Sequence, residues 1–454
     1  MHLESLKPGE SLTKTFWRYT IPAIAAMVVN GLYQMVDGIF VGHYIGAEGL
    51  EAINIGWPVI AVVGGTGLMI GMGSGSLISI YRGEGNLTGA RTAMATGLVL
   101  TILLGLVASA YLLVGAEKLV DLQGVTGVAR DYAINYLMVY ALCAAVTVAS
   151  SALPFLIRND DSPVVATAMM VVGALANIVL DYLFIGVLDF KLAGAAWATV
   201  LAQGITVVIA MAYLLSKRSY LAIFRHKLNL SLSDAKQSMA MGVSSLVMFL
   251  YYGVLVAIHN RLFAEYGSPL SIASFAIVGY LMTLYYVVAE GIAEGMQPQV
   301  SYYHGAKQYQ NIVKVAKLAT VVSLGAGILW LAVLNLFPDT MIGLFNNANE
   351  TLMKEATYGM RIHLSAMYLD GLIVLASMYF LSVGKGGTSL AISVGNMLVQ
   401  FPFLAILPRI YGVDGVWMSM PISNVVLASI VIPVMWRHIY RQKRTMPIET
   451  AAAV

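Results

Sequence analysis

About twelve apolar segments, each roughly as long as a membrane-spanning helix needs to be, follow one another along this chain of 454 residues. The chain is 59% hydrophobic and only 11% charged, and its mean hydropathy is +0.79. Soluble domains do not reach this balance, so the sequence predicts an all-α polytopic membrane protein. The predicted spans lie near 15–43, 54–81, 92–115, 131–157, 163–187, 193–215, 238–264, 272–302, 312–337, 357–382, 388–408 and 414–436.

Lys and Arg residues are unevenly distributed between the predicted loops. With the N-terminus placed in the cytoplasm, 19 of the 26 fall on the cytoplasmic side. This is the bias of the positive-inside rule, and it predicts an even span count with both termini cytoplasmic. The polar start, MHLESLKPGESL, leads into a full-length span, so no cleavable signal peptide is expected. The single cysteine, Cys143, excludes an intramolecular disulfide.

The longest predicted cytoplasmic loop divides the spans into two sets of six. We predict an N-lobe at 1–215, a basic cytoplasmic linker loop at 216–237, a C-lobe at 238–436 and a basic cytoplasmic tail at 437–454. Shifting one half by 222 positions pairs SLISIYRGEGN with PQVSYYHGAKQ, which indicates a weak internal repeat. Repeats with an even number of spans keep the same orientation, so the expected pseudo-symmetry axis follows the membrane normal.

Two aspartates lie on polar stripes inside the apolar spans. Asn30, Gln34 and Asp37 share one helix face, and so do Asn177 and Asp181. A carboxylate at membrane depth costs at least about 2.5–3.5 kcal/mol, so it usually faces a cavity and carries function. The stripes therefore predict a cation or proton site, with Asn30 and Gln34 as candidate same-face support.

The repeat breaks at these aspartates. Asp37 pairs with His259 at the shift of 222. Further along the chain, LANIVLDYLF pairs with VGNMLVQFPF at a shift of 219, which places Asp181 opposite Gln400, so at these positions only the first half carries acids. Thr199, near the start of span six, lies at a similar depth to both aspartates by helical rise. Carboxylates, an amide and a hydroxyl suit Na⁺ or a proton shared between acids. The predicted site for the coupling ion, H⁺ or Na⁺, is Asp37, Asn177, Asp181 and Thr199.

Further candidates lie elsewhere in the spans. The candidates for a substrate or second-lobe site are Glu290 in span eight, Asp370 near the middle of span ten, and His259. Glu294 is expected to be hydrated near the cytoplasmic mouth. His259 either titrates or is a neutral histidine satisfied by a helix neighbour. Pro22 removes a helical hydrogen bond from span one, so it marks either a hinge or a static bend.

Two other patterns favour structural roles. Gly67, Gly71 and Gly75 are spaced at i, i+4 and i+8, which is typical of a helix-packing face. Arg158, Asp160 and Asp161 follow span four in a short cytoplasmic turn, where we expect structural pairing and not a role in transport.

Enzyme signatures are missing from the sequence. Gly384-Lys385 has Tyr379 where a phosphate-binding loop needs its first glycine, and neither HExxH nor a paired-cysteine zinc pattern occurs. The chain is therefore not expected to be an enzyme or to drive transport with ATP on its own. No cofactor, nucleic acid or obligatory protein partner is expected.

Nearly the whole chain resembles the multidrug and toxic compound extrusion (MATE) transporters, most closely the bacterial DinF-like and MepA-like members. The motifs that carry this resemblance are IPAIAAMVVNGLYQMVDGIFVGHYIG, LIRNDDSPVVATAMMVVGALANIVLDYLFI, GAAWAT and GIAEGMQPQVSYYHGA. The resemblance implies twelve helices in two pseudo-symmetric six-helix lobes around a central cleft. It also implies export of organic cations driven by inward movement of H⁺ or Na⁺.

The resemblance assigns roles to individual residues. Asp37 matches the first-helix acid of the N-lobe cation site, Asn177 and Asp181 match its fifth-helix pair, and Thr199 matches its sixth-helix hydroxyl. Pro22 matches the proline at which the first helix bends.

The second half departs from one branch of the family. His259 stands where NorM-like members have an acid, and Asp370 is a candidate match for their tenth-helix acid.

The resulting prediction is a bacterial inner-membrane multidrug antiporter that exchanges small organic cations for H⁺ or Na⁺ across the lipid bilayer. The alternative is a flippase or exporter of a lipid-linked or other endogenous metabolite in the same superfamily, whose cleft should be richer in basic residues. A membrane-embedded enzyme or receptor scaffold is disfavoured because no catalytic constellation or large soluble domain is evident.

Overall fold

The computed structural model describes residues 10–123, 126–345 and 350–444. These residues are almost entirely helical and contain no β-strand. A π-helix, Tyr182–Val187, follows α5, and a 3₁₀ turn, Ile223–Arg225, lies between α6 and α7. The α-helices are α1 (Leu12–Tyr44), α2 (Ala47–Gly83), α3 (Leu87–Asp121), α4 (Val128–Asn159), α5 (Pro163–Asp181), α6 (Lys191–Leu215), α7 (Leu232–Tyr266), α8 (Pro269–Gly305), α9 (Tyr309–Leu336), α10 (Pro338–Gly343), α11 (Glu350–His363), α12 (Met367–Ser382), α13 (Gly386–Leu398), α14 (Gln400–Tyr411) and α15 (Val413–Arg444).

Within the described residues, 11 helical segments are long and apolar enough to cross a membrane. The bent pair α11–α12, with an angle of 47° between its helices, supplies a twelfth span. The predicted all-α polytopic fold is therefore confirmed. The tenth span, expected to be continuous over 357–382, is instead broken at 364–366, although that short stretch contains neither proline nor glycine.

The described residues form two compact units. The N-unit consists of Ile21–Arg82 and Asn86–Gly253, and the C-unit consists of the chain up to Thr20, Gly83–Gly85 and the residues from Val254 onward. Helix α7 begins inside the predicted linker loop. The lobe boundaries at 215 and 238 stay a prediction, and the last ten residues of the predicted tail lie outside the described residues.

Close helix packing in the N-unit depends on the glycines of α2. A Cβ atom on Gly71 would lie 2.7 Å from the carbonyl oxygen of Ala152 on α4, and one on Gly75 would meet the side chain of Asn159. Gly67 likewise faces α4, at Val148. The predicted packing face is therefore confirmed, because larger side chains there would push α4 away.

The N-unit contains several clusters of buried apolar residues. One cluster joins α1, α2, α4 and α6 around Val41, Ile55, Tyr136 and Tyr140. Because Val41 is four residues after Asp37, this cluster places the acid of α1 beside the tyrosines of α4.

Candidate functional site

Asp181 is the final residue of α5 and is 0% exposed. The chain continues directly into the π-helix, where the amide of Leu188 donates to the carbonyl of Leu183, five residues earlier. Single π-turns inside α-helices are rare and often occur at functional sites. The buried acid therefore lies at a change of helix type that no sequence pattern predicted.

The two aspartates of the N-unit lie near each other with unsatisfied oxygens. Both carboxylate oxygens of Asp181 and the Oδ1 atom of Asp37 are buried and have no hydrogen-bond partner among the described residues. The two carboxylates are close enough to interact electrostatically. Burying an ionised carboxylate without a partner is so unfavourable that such a group takes up a proton or a cation. This pair is therefore chemically suited to bind H⁺ or Na⁺.

Asn177 and Thr199 join the same region. Asn177 is buried one helical turn before Asp181, and its Nδ2 atom donates to the hydroxyl of Thr199 at 3.3 Å. The Oδ1 atom of Asn177 has no hydrogen-bond partner among the described residues. The four residues predicted as a coupling site thus lie in one region of the N-unit, carried by α1, α5 and α6.

Three tyrosines that the sequence analysis did not single out surround these acids. The hydroxyl of Tyr140 lies within hydrogen-bonding reach of Thr199, and Tyr140 also interacts electrostatically with Asp37. Tyr136 packs on Tyr140 with ring centroids 5.2 Å apart. Tyr33 of α1 interacts electrostatically with both aspartates. The i, i+4 spacing of the two tyrosines in span four was the signal that could have found them.

The proposed supporting residues on α1 differ from each other. Asn30 is partly buried, whereas Gln34 is exposed. The side chain of Gln34 hydrogen-bonds Tyr33, so it is linked to the acids through a tyrosine. Their role in ion binding stays a prediction.

Pro22 lies in α1 and is tied to α5. Its carbonyl oxygen accepts a hydrogen bond from the hydroxyl of Thr167 at 2.7 Å. Because proline has no amide hydrogen, the carbonyl of Arg18, four residues earlier, loses its usual helical donor. The weakened point of α1 is therefore attached directly to the helix that carries Asp181.

The C-unit holds a second group of acids. Asp370 is buried in the first turn of α12 and is hydrogen-bonded by the side chain of Asn396. Glu290 is close enough to Asp370 and Glu294 to interact electrostatically with both. Glu294 is only 4% exposed, so the expectation that it is hydrated was wrong. Packing of α8 against its neighbours buries it, which the sequence of α8 alone does not reveal.

His259 lies among aromatic residues and one other histidine. Its Nδ1 atom lies 2.8 Å from the carbonyl oxygen of Leu255, so Nδ1 carries the hydrogen and donates. The ring stacks on Phe275 at 5.2 Å and meets the edge of His363 at 5.5 Å. The helix therefore satisfies Nδ1 alone, because the Nε2 atom of His259 is buried and has no hydrogen-bond partner among the described residues.

No group of three or more His, Cys, Asp or Glu side chains in the described ranges is arranged to hold a metal ion. The N-unit site offers two carboxylates, with an amide and a hydroxyl. Apolar membrane-length helices with buried acids of this kind define a polytopic helical transporter.

The MatE family model matches residues 22–183 and 240–406. The chain therefore belongs to the MATE family of multidrug efflux transporters, as its motifs indicated, and it is a transporter and not an enzyme. It is a multi-span membrane protein of a bacterial transporter family that acts on small molecules without a cofactor.

Known proteins similar to this chain agree with that assignment. The multidrug export protein MepA of Staphylococcus saprophyticus is 21% identical over 420 residues, which is 92% of each chain. MepA of Staphylococcus aureus is 22% identical over 421 residues, covering 90% of each. A crystal structure of MATE in complex with MaD3S matches with a TM-score of 0.91 and 25% identity over 98% of each chain.

Proposed function

We propose that this protein is a secondary antiporter that exports organic cations in exchange for H⁺ or Na⁺. The observation that carries the proposal is the pair of neighbouring acids, Asp37 and Asp181, whose buried oxygens have no hydrogen-bond partner in the described part of the chain. A structural ion pair would have supplied a basic partner. The pair instead suits a coupling ion that arrives and leaves during each cycle.

The chemistry of the site fits both candidate ions. Na⁺ is a hard cation that prefers oxygen ligands, and the site offers carboxylates, the free Oδ1 atom of Asn177 and the hydroxyl of Thr199. Two neighbouring carboxylates also favour sharing a proton, because two like charges in one buried site repel each other.

Coupling requires that the ion and the substrate bias the same two-state element. Helix α1 is the candidate, since it carries both Asp37 and the proline whose carbonyl is bonded to Thr167. Neutralising the acid pair removes its repulsion and changes the preferred path of α1. In the outward-facing state this change weakens substrate binding and releases the substrate outside.

The acids of the C-unit are assigned to substrate recognition. Glu290 and Asp370 interact electrostatically, and the carboxylates of a partly dehydrated pair attract organic cations strongly. The MepA relatives are multidrug export proteins, which supports substrates of this class. We propose no role for His259 in ion coupling.

The membrane placement belongs to the same proposal. The uneven distribution of Lys and Arg supports a topology with both termini cytoplasmic. Membership of a bacterial transporter family supports the inner membrane, and no obligatory protein partner is proposed. A flippase for lipid-linked metabolites is not favoured. Among the described residues, the two buried arginines, Arg82 and Arg158, lie in the last turns of α2 and α4, away from the middle of the spans.

Ethidium accumulation in energised cells tests the proposal, because ethidium is a fluorescent organic cation. Cells that express this chain should accumulate less dye than cells without it. Cells that express a chain with both Asp37→Asn and Asp181→Asn, at matched membrane levels, should accumulate as much dye as empty cells. Equal dye exclusion by the substituted and unsubstituted chains would overturn the proposed site.

A further inference from the structure

The segment between α6 and α7, residues 216–231, is fixed to the N-unit, and we call it the connecting platform. The carboxylate of Asp160 accepts hydrogen bonds from the hydroxyl of Ser219 at 2.9 Å and from the amides of Tyr220 and Leu221 at 3.0 and 2.8 Å. The expected structural role of Asp160 is therefore confirmed. These bonds hold the start of the platform in one conformation.

Further contacts fix the rest of the platform. The Nε atom of Arg91 donates to the carbonyl of Leu221 at 2.9 Å, and the amide of Ser231 donates to the hydroxyl of Thr96 at 3.1 Å. The side chains of Leu221 and Ile223 are each 1% exposed and belong to a core cluster with residues of α2 to α6. The platform is therefore a docked surface with a defined inner and outer face.

The outer face carries large apolar side chains. Tyr220 and Phe224 lie on either side of the stretch that holds the two buried residues and are 50% and 41% exposed. The ring of Tyr220 also packs against the guanidinium of Arg82, at 4.6 Å. Leu228 and Leu230 follow, with 52% and 61% of their surfaces exposed. Such residues are unfavourable in water but suit the boundary between lipid headgroups and acyl chains.

The same face is strongly basic. Lys217, Arg218, Arg225 and Lys227 are all exposed. Residues 216–231 contain no Asp or Glu, and the nearby carboxylate of Asp160 is buried and faces inward. The outer face therefore presents cations with no acid of its own to neutralise them.

We propose that the connecting platform binds anionic lipid headgroups at the membrane surface. It joins the ends of two membrane-spanning helices, so it lies where headgroups are. Clusters of four or more Lys and Arg beside a span attract anionic lipids, and the neighbouring apolar side chains add insertion into the interface. Because the platform is already ordered, little conformational entropy is lost on binding. This inference does not depend on what the protein transports.

A fluorescence experiment on the full-length protein tests this proposal. In a Cys143→Ser background, Asn229→Cys places a single label site on the exposed part of the platform without changing its charge. The bimane-labelled protein is reconstituted into phosphatidylcholine vesicles that contain doxyl-labelled phosphatidylglycerol or doxyl-labelled phosphatidylcholine. The anionic probe should quench at a concentration at least about threefold lower than the neutral one, and the preference should weaken at high salt.

Two matched charge variants complete the experiment. Neutralising the platform with Lys217→Gln, Arg218→Gln, Arg225→Gln and Lys227→Gln should abolish the preference. Neutralising four exposed cations of the C-unit instead, with Lys314→Gln, Lys317→Gln, Lys443→Gln and Arg444→Gln, should leave the preference unchanged.

Three results would overturn the proposal. Equal quenching by both lipids in the unneutralised protein shows that no anionic lipid is selected. An equal loss in the two charge variants shows a general effect of net charge. Displacement of the anionic lipid by inorganic phosphate or by an acidic peptide shows that the surface recognises a soluble ligand. The salt titration uses protein with all charges intact, so it stands even if a charge variant folds poorly.

Discussion

The acids of the two units differ in how the protein satisfies them. In the N-unit, Asp181 is buried with both oxygens unpartnered in the described chain, and Asp37 beside it also keeps an unpartnered oxygen. In the C-unit, Asp370 is hydrogen-bonded by Asn396 and lies in the first turn of α12, where the helix dipole favours a negative charge. The hydrogen bond from Asn396 favours the charged form of Asp370, whereas no hydrogen bond within the described residues does so for the buried N-unit oxygens. This difference is the basis of the proposal that the two units have different tasks.

The largest expected effect comes from the N-unit pair. Asp181→Asn keeps the shape of the side chain but removes its charge. Contacts between a charged carboxylate and its ion contribute about 1.5–3 kcal/mol, so their loss should reduce coupled efflux about tenfold or more. Folding should survive, because removing an unpaired buried charge is not intrinsically destabilising. Dye efflux from cells with matched protein levels measures the loss.

Gln400→Ala is the control for that prediction, because the internal repeat pairs Gln400 with Asp181. It should impair efflux clearly less than Asp181→Asn does. Asp37→Asn should behave like Asp181→Asn. Normal drug resistance in cells that carry Asp37→Asn, or equal losses at Asp181 and Gln400, would remove the proposed asymmetry between the units.

The second effect concerns substrate choice in the C-unit. Glu290→Gln removes a charge that interacts with Asp370, and we expect export of monovalent cationic dyes to fall about fivefold, which corresponds to about 1 kcal/mol of lost attraction. Export of a neutral dye of similar size should be spared. Transport of the matched pair in one assay decides this. If both dyes and the ion response fall together, Glu290 belongs to the coupling site.

The third effect tests whether α1 bends during the cycle. In Thr167→Val the new side chain has nearly the same volume but cannot donate a hydrogen bond to the carbonyl of Pro22. Turnover should slow about threefold, which corresponds to the free energy of one weak hydrogen bond, about 0.65 kcal/mol. Thr167→Ser retains the hydroxyl and should be close to normal. Pro22→Ala should also slow turnover, because alanine restores the helical donor and favours a straight helix.

Ion-dependent protection of a cysteine placed near Asp37 separates a slow cycle from a damaged site. Slower turnover with retained protection supports a hinge in α1. Unchanged turnover in Pro22→Ala would make the proline a static bend.

The smallest effect is expected at a tyrosine. Tyr140→Phe removes a hydroxyl within reach of Thr199 and should raise the H⁺ or Na⁺ concentration for half-maximal efflux about twofold. The maximal rate should change little, since both acids remain. A large fall in maximal rate with an unchanged ion requirement would contradict a supporting role in ion binding.

The parts of this molecule that the sequence predicted follow from strong physical constraints. Membrane length and hydropathy determined the spans, and the cost of a carboxylate in apolar surroundings pointed to Asp37 and Asp181. Helical spacing then linked Asn177 to Asp181, and the structure brings Thr199 to the same region. The packing glycines of α2 followed from the same kind of reasoning.

The parts that the sequence did not predict depend on tertiary contacts. The break at 364–366 contains neither proline nor glycine. The π-helix after Asp181 contains Gly186, but a single glycine does not predict a π-helix. The burial of Glu294 depends on neighbouring helices. Tyrosine is common in this chain, so the sequence did not distinguish Tyr140 from the others. Its position near Asp37 and Thr199 in the structure makes it a candidate for a supporting role in ion binding.

The central claim is that the unsatisfied acid pair of the N-unit couples an ion gradient to export. Proteoliposomes loaded with a cationic dye, with H⁺ and Na⁺ gradients imposed separately, test it most directly. The unsubstituted protein should move the dye against its gradient under at least one of the two ion gradients. The Asp37→Asn and Asp181→Asn double variant should do so under neither. Uphill dye movement of equal size by the double variant, or none by the unsubstituted protein under either gradient, would contradict the account.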